Sequence, residues 1–205
     1  MATASPALDT SELEKLSPLP TQLALREAAP LLAHLVSDPT LLDSYFLPLL
    51  EEARRVQEGW YVPYRVDAQD GSYSLQIFVW PPATKTLIHD HTSWGAFCCA
   101  VGSVFEERYE RLDDGWRLNH ARLKKVWQLS WSTEEGVSTV QPYDGGIHRV
   151  GNTGSETAIS VHLYGPRIGE LDGRDYYPSR DYLCARTETP EVVVELGTRY
   201  LVSSP

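Results

Sequence analysis

Sulfur is scarce in this chain. Of 205 residues, three are cysteine (Cys98, Cys99 and Cys184) and one is methionine. Cys98 and Cys99 are neighbours, and adjacent cysteines rarely bridge because the geometry is strained. A sparse, odd count excludes a disulfide scaffold and fits a reducing, cytoplasmic setting. Long apolar runs are also missing: nothing approaches the roughly 18 uninterrupted apolar residues expected of a spanning helix. Residues 1–16 show no basic stretch followed by an apolar one, so no secretory leader is expected. Positive charge is short, with 18 Lys and Arg against 28 Asp and Glu and a net charge of −10. Such a surface repels phosphate backbones and anionic lipid, which argues against nucleic acid and membranes as partners. A small anionic substrate is not excluded, because a local cation can outweigh the global field. Internal repeats and low-complexity segments are absent as well.

What is present is an ordinary globular composition, 42% hydrophobic and 10% aromatic, enough for one core. Residues 1–58 read as an N-terminal helical region, with Leu23, Leu25, Leu32, Leu35 and Val36 near helical spacing. Ser37-Asp38-Pro39 caps a second helix through Leu41, Leu42, Tyr45, Leu49 and Leu50, while Pro30 and Pro48 are expected to kink or shorten these helices. His34 falls inside the helical pattern and reads as structural. Residues 59–166 read as many short strands with Gly, Asp and Pro breaks, which predicts an antiparallel sandwich or barrel. Residues 167–205 read as an extension of the same domain. In it Tyr176-Tyr177-Pro178 looks like a loop, and residues 191–196 suit either an edge strand or a tail.

The chemistry centres on His89-Asp90-His91. In an extended segment residues i and i+2 share a face, so both imidazoles can aim at one point. Exposed or hydrogen-bonded histidines are the plainer alternative for so short a pattern. A second pattern adds weight: Gly145, His148 and Asn152 have the spacing Gly, two residues, His, three residues, Asn. Together these are similar to the two motifs of the cupin superfamily. The departure is Gly95, which stands where the usual cupin carboxylate ligand would be. Three neutral histidines would leave a divalent metal its full charge, ready for an anionic ligand, with positions open for reactants. Zinc and iron both suit such a set.

Ser160-Val161-His162-Leu163-Tyr164 alternates polar and apolar, so on a strand Ser160, His162 and Tyr164 share one face. That row could pass hydrogen bonds along its length toward a bound ligand. It could equally be the polar solvent face of an ordinary strand, and His162 could itself be a ligand.

With these residues in view the chain resembles the thiol dioxygenase family, of which cysteine dioxygenase is the best-known member. The resemblance rests on His89-Asp90-His91-Thr92, His148-Arg149-Val150, Ser160-x-His162-x-Tyr164 and Tyr164-Gly165-Pro166, and it spans residues 61–166. It implies a cupin double-stranded β-helix, a jelly-roll barrel with an all-β core, carrying Fe(II) on His89, His91 and His148. Dioxygen would be the co-substrate and a small thiol, a mercapto acid or aminothiol, the substrate, oxidised to its sulfinate. Ser160, His162 and Tyr164 would form the catalytic outer row, and the peptide bond before Pro166 is expected to be cis. Some members crosslink a cysteine to the tyrosine matching Tyr164. Gly95 occupies the cysteine position, so no crosslink is expected, and Trp94-Gly95 is similar to the bacterial mercapto-acid members. Cys98 and Cys99 read as buried structural thiols.

The family reads a substrate carboxylate with Arg or Gln two residues after a tyrosine. Here that tyrosine is Tyr61, and the position holds Pro63, which offers no donor. Arg65, on the same strand face if the strand is regular, and Arg167 are the candidate replacements, with a solvated surface arginine as the plainer alternative for each. Two other readings stand beside thiol oxidation: another three-histidine cupin dioxygenase cleaving a dicarbonyl, and a non-catalytic metal-binding cupin. Tyr73, Trp80, Phe97 and Trp127 are read as core or pocket lining, and His120 as exposed. The oligomeric state is not legible.

Overall fold

The computed structural model describes residues 12–16, 19–53, 59–166 and 173–186. Helix α1 (Thr21–Val36) buries Ala24, Leu25, Ala28 and Leu32, a spacing that lines one face. Pro30 sits inside α1 without breaking it. Asp38 caps the next segment by accepting from Thr40 N at 2.8 Å, with Pro39 in the first turn of α2 (Pro39–Leu41). A π-helical stretch, Leu42–Phe46, then leads into α3 (Leu47–Ala53). The wider π turn immediately precedes Pro48, so the ring is accommodated by a local change of helix type and not by a chain break. His34 lies exposed in the last turn of α1.

Among the described residues eleven strands follow: β1 (Tyr61–Asp67), β2 (Ser74–Trp80), β3 (Ile88–His89), β4 (Gly95–Val101), β5 (Ser103–Arg111), β6 (Leu123–Ser132), β7 (Val137–Val140), β8 (His148–Gly151), β9 (Ala158–Tyr164), β10 (Arg174–Tyr177) and β11 (Tyr182–Ala185). They form two antiparallel sheets, ordered β1-β2-β9-β4-β7 and β11-β10-β3-β8-β5-β6. This is the expected all-β core of antiparallel strands, two sheets closing on one interior, with helices ahead of it. Helix α1 crosses β4 and β9, so the outer face of the five-stranded sheet is apolar: Leu75, Ile77, Val79, Ala96, Cys98, Ile159, Val161 and Leu163 share one core with Leu25, Leu32 and Phe46. The opposite face looks into the barrel, where Phe78, Trp80, Phe97 and Cys99 meet Val104 and Val150 of the other sheet. Because alternate residues face opposite ways, this arrangement commits Ser160, His162 and Tyr164 to the barrel interior.

Three expectations need correction. Tyr176 and Tyr177 belong to strand β10, not a loop: β10 pairs with both β3 and β11, and the Tyr176 ring is 2% exposed. Paired tyrosines suit a half-buried pleat, and Pro178 marks only the strand's end. The Gly165–Pro166 peptide is trans, as is every described peptide bond. The chain turns there on Gly165, whose N–H donates to Trp94 O at 2.9 Å, and trans is the lower-energy form by about 0.5–1 kcal/mol. His120 is half-buried, bridged in the ladder to Tyr182. Residues 191–196 lie outside the described residues. Among the described residues no helix is long and apolar enough to cross a membrane.

Candidate metal centre

His89 on β3 stands directly opposite His148 on β8, and cross-strand partners of an antiparallel pair project to the same face. His91 follows His89 by two residues and shares its side. The three rings accordingly converge: their candidate ligand nitrogens lie within 4.8 Å of one another, and all three residues are buried. His91 Nε2 and His148 Nε2 are 3.1 Å apart.

What stands behind each ring explains how it is aimed. His89 Nδ1 donates to Leu87 O at 3.0 Å, and His148 Nδ1 donates to the Glu106 carboxylate at 2.8 Å. Both contacts turn Nε2 toward the common point, the usual way an outer partner fixes a ligand's tautomer. Arg186 donates to His91 Nδ1 at 3.3 Å, placing a cation at the back of the third ring. Asp90, between the two histidines, points the other way and is fully buried. It accepts from Arg174 N and Nε, each at 2.7 Å, and from Tyr176 O–H at 2.7 Å. The close fit of β10 at this point needs Gly173: a Cβ there would fall 2.2 Å from Asp90 O. Holding Asp90 outward holds both imidazoles inward.

Burial drives the electrostatics. His89, His91 and His148 all have pKa values well below the ordinary histidine value, chiefly through loss of solvent, with like-charge repulsion from Arg186 adding to each. Neutral imidazoles are the protonation state a divalent cation requires: His89 and His148 turn an inward Nε2 lone pair to the common point, while His91, which accepts from Arg186 at Nδ1, carries its proton on Nε2 toward His148 and gives that proton up when a cation enters. Glu106 is itself fully buried; it accepts from Ser138 at 2.6 Å and Trp131 Nε1 at 3.2 Å and pairs with Arg108 at 2.7 Å. The donor set therefore fits a divalent transition metal, with nitrogen ligands only and no carboxylate among them.

The second sheet faces this cluster with the row from β9. Ser160 is 0% and His162 4% exposed, which excludes a solvent face. Trp80 Nε1 donates to Ser160 Oγ at 2.7 Å, and Ser160 Oγ lies 2.7 Å from His162 Nε2. Indole N–H is a donor only, so the hydroxyl accepts from it, which keeps its own proton available for His162 Nε2. In the tautomer that takes this proton bond, the proton of the neutral ring is on Nδ1 and donates to Tyr164 O at 3.2 Å. In that tautomer the Tyr164 O–H points away from His162; the Tyr164 ring lies 5.0 Å from that of His91. The His162 pKa is held down to about 3, mainly by burial and next by charge at His148. Phe97 stacks on the His162 ring at 4.9 Å, so Phe97 and Trp80 line this inner wall, whereas Tyr73 lies in the helix-side core and Trp127 is on the surface.

Gly95 lies opposite Tyr164 in the ladder, and a Cβ there would fall 2.8 Å from Val140 Cγ2 and 3.2 Å from the Tyr164 ring. The Tyr164 ring therefore packs against Gly95, and no side chain fits there unless Val140 or Tyr164 moves. Cys98 and Cys99 are buried, and burial pushes both thiols up to about 12.

The proposed substrate residues separate. Arg65 lies opposite Gln76, and Gln76 opposite His162, so Arg65 shares the inner face with the Ser160–His162–Tyr164 row. Its guanidinium is engaged with Asp67 at 2.8 Å. The alternation from Pro63 that was expected to put Arg65 there is interrupted: a register shift between Tyr61 and Tyr64 leaves Val62 and Pro63 both buried. Tyr61 packs on the helix-side core and is not brought to the histidines. Arg167 lies outside the described residues.

Sequence reasoning missed Glu106, Asp90, Arg174, Trp80's bond to Ser160, and Arg186. Glu106 sits between Phe105 and Glu107 in a stretch of β5 buried from Val104 to Glu107, and nothing in a Glu-Glu pair marks which carboxylate reaches His148. Arg186 is about 95 residues from its contact, His91, a separation no local motif spans.

A model of the family described as cysteine dioxygenase type I matches residues 50–175. Among solved structures the chain is similar to a Cupin 2 conserved barrel domain protein from Salinispora arenicola, with 16% identity over 46% of this chain and 63% of that one and a TM-score of 0.32. It is similar to TT1209 from Thermus thermophilus, with 18% identity over 60% and 95% of the two chains and a TM-score of 0.40. The cupin domain of Cnp3 from Schizosaccharomyces pombe matches at 12% identity over 52% and 61%, with a TM-score of 0.39.

Proposed function

The chain belongs to the cysteine dioxygenase type I family, and from that premise we propose that it is an Fe(II)-dependent dioxygenase oxidising a small thiol to its sulfinate. The observation that carries this reading is the meeting of two sheets: three buried neutral imidazoles on one, and a hydrogen-bonded Ser160–His162–Tyr164 row on the other. His89, His91 and His148 would hold the iron. When bound there, ferrous iron supplies the redox chemistry that joins both atoms of dioxygen to a thiolate sulfur, the thiol proton being released.

The protein's part is positioning and proton control. Neutral His162 fixes Tyr164 as an acceptor on its inner side, which directs the phenol O–H toward the reactants as a donor. Trp80 and Ser160 enforce that direction from the far end. Phe78 and Phe97 against His162 keep water from the row. Arg65 is the candidate reader of an anionic head group, drawn from Asp67 when a carboxylate enters; a bidentate guanidinium contact is the strong form of such recognition. Gly95 and the neighbouring Trp94 favour a mercapto acid, since no cysteine is present for a crosslink to Tyr164. Free thiols at Cys98, Cys99 and Cys184 suit a cytoplasmic setting.

Iron-loaded protein in an oxygen electrode, offered mercapto acids, aminothiols and dicarbonyls in turn, tests this. Oxygen uptake matched by sulfinate on mass spectrometry is the expected result. Uptake with a dicarbonyl alone, or with nothing, overturns it. An Arg65→Ala variant should raise KM for carboxylate-bearing thiols while sparing neutral ones.

A further inference from the structure

Strand β6 is the outermost of the six-stranded sheet: β5 pairs along one edge of it, and among the described residues no strand pairs along the other. It is 10 residues long, and residues 124–130 are exposed in unbroken succession. Folded proteins blunt such an edge with charge, proline or a cover. This one carries large apolar side chains in its middle, Val126 at 47%, Trp127 at 39% and Leu129 at 51% exposed. The loop that feeds it adds Trp116, 89% exposed, and Leu118, 87% exposed. None of these five takes part in the metal centre. Apolar surface gathered along an open edge marks a contact surface.

The charges along the strand say what contacts it. Lys124 and Lys125 lie at its start, and Glu134 and Glu135 lie just past its end, in the turn to β7. Lys125 is held by Glu107, and Glu135 bonds back to Ser132, but neither Lys124 nor Glu134 has an ion pair among the described residues. A partner of uniformly acidic surface would meet Glu134 and Glu135, and a basic one would meet the lysines. A second copy of this chain, run antiparallel along the same edge, satisfies both ends at once. With the two-fold axis near Leu129, Lys124 of each copy lies by Glu134 of the other, and the apolar centres meet. The β-bulge at Val126, which takes it out of the ladder with β5, restricts regular pairing to the residues beyond it.

We infer that β6 is a homodimer interface, in which two copies pair edge to edge and antiparallel along residues 127–131, joining their six-stranded sheets across a two-fold axis. The chain's net charge of −10 makes two copies repel at long range, and the opposite charges at the two ends of β6 offset that repulsion where the edges meet.

Sedimentation velocity and light scattering on the iron-loaded full chain test it. The expected result is twice the chain mass, with dissociation on dilution. Leu129→Lys and Lys124→Glu should each weaken the dimer about tenfold or more. The double variant Lys124→Glu/Glu134→Lys should restore it, because the exchange recreates the pairing in reverse. Unchanged circular dichroism and iron content show that each variant is folded. Trp131 is left alone because it bonds Glu106. A wild-type chain that stays monomeric at high concentration overturns the proposal, and so does a dimer that none of these changes disturbs. Failure of the charge exchange to restore what Lys124→Glu removes overturns the antiparallel arrangement.

Discussion

β9 and β6 invert the usual distribution of residues. β9 is central in its sheet and buried almost throughout, yet it carries Ser160, His162 and Tyr164 inward. β6 lies at an edge and is exposed almost throughout, yet it carries Val126, Trp127 and Leu129. A buried polar group and an exposed apolar patch are the two informative exceptions to residue sorting by burial. Inside, the polar row is tolerable because each member bonds the next; outside, among the described residues, no strand or helix covers the apolar row, and only Arg108 lies over the Trp127 ring. The first exception points to chemistry, the second to association.

The most severe break of that comparison is a lysine on the outward side of each strand. Val161→Lys puts an unpaired charge into the fully buried helix-side core and should cost more than about 3–5 kcal/mol, leaving no soluble folded protein. Leu129→Lys on β6 should change the unfolding free energy of dilute protein, read from a urea titration, by no more than about 0.5 kcal/mol. Next comes the inner row. Tyr164→Phe removes the phenol alone and should lower turnover about 100-fold or more while iron content, read by metal analysis, stays at wild type. A smaller effect is expected across the barrel. Glu106→Ala takes away the partner of His148 Nδ1 and should weaken iron affinity about 10–100-fold in a competition titration.

Acid should separate the two regions more gently. His162 has a folded-state pKa near 3 against 6.5 for the free side chain, so between those values the unfolded chain binds the proton and the folded one does not. Stability contributed by neutral His162 is full above pH 6.5 and is lost as pH falls toward 3. The melting temperature of metal-free protein should fall over that window, and His162→Asn should flatten the fall. The smallest effect concerns the thiols. With Cys98 and Cys99 pushed up to about 12, alkylation of native protein at neutral pH should leave both unmodified on mass mapping.

Much of the centre was legible because its signals are local. Two histidines at i and i+2, and three polar residues alternating with two apolar ones, need only strand geometry to become a shared face. The strands themselves could be read from β-rich runs between Gly, Asp and Pro breaks, though Tyr176-Tyr177 was misread because Pro178 signals a break without saying on which side the strand lies. Arg65 reached the inner face despite a bulge that the sequence did not announce. Glu106, Asp90 with Arg174, and Arg186 were invisible, since each acts across a separation of 42 residues or more.

By itself the sequence determined which residues could act together along one strand, and that the chain is acidic, poor in sulfur and built on a strand-rich core. The tertiary structure alone decided that β3 meets β8 in register, so that His89 faces His148, and that β9 presents its polar side to that pair and not to water. Face alternation is a property of the backbone and travels with the residue order, whereas cross-strand register and the choice of buried face depend on how two whole sheets close around one interior.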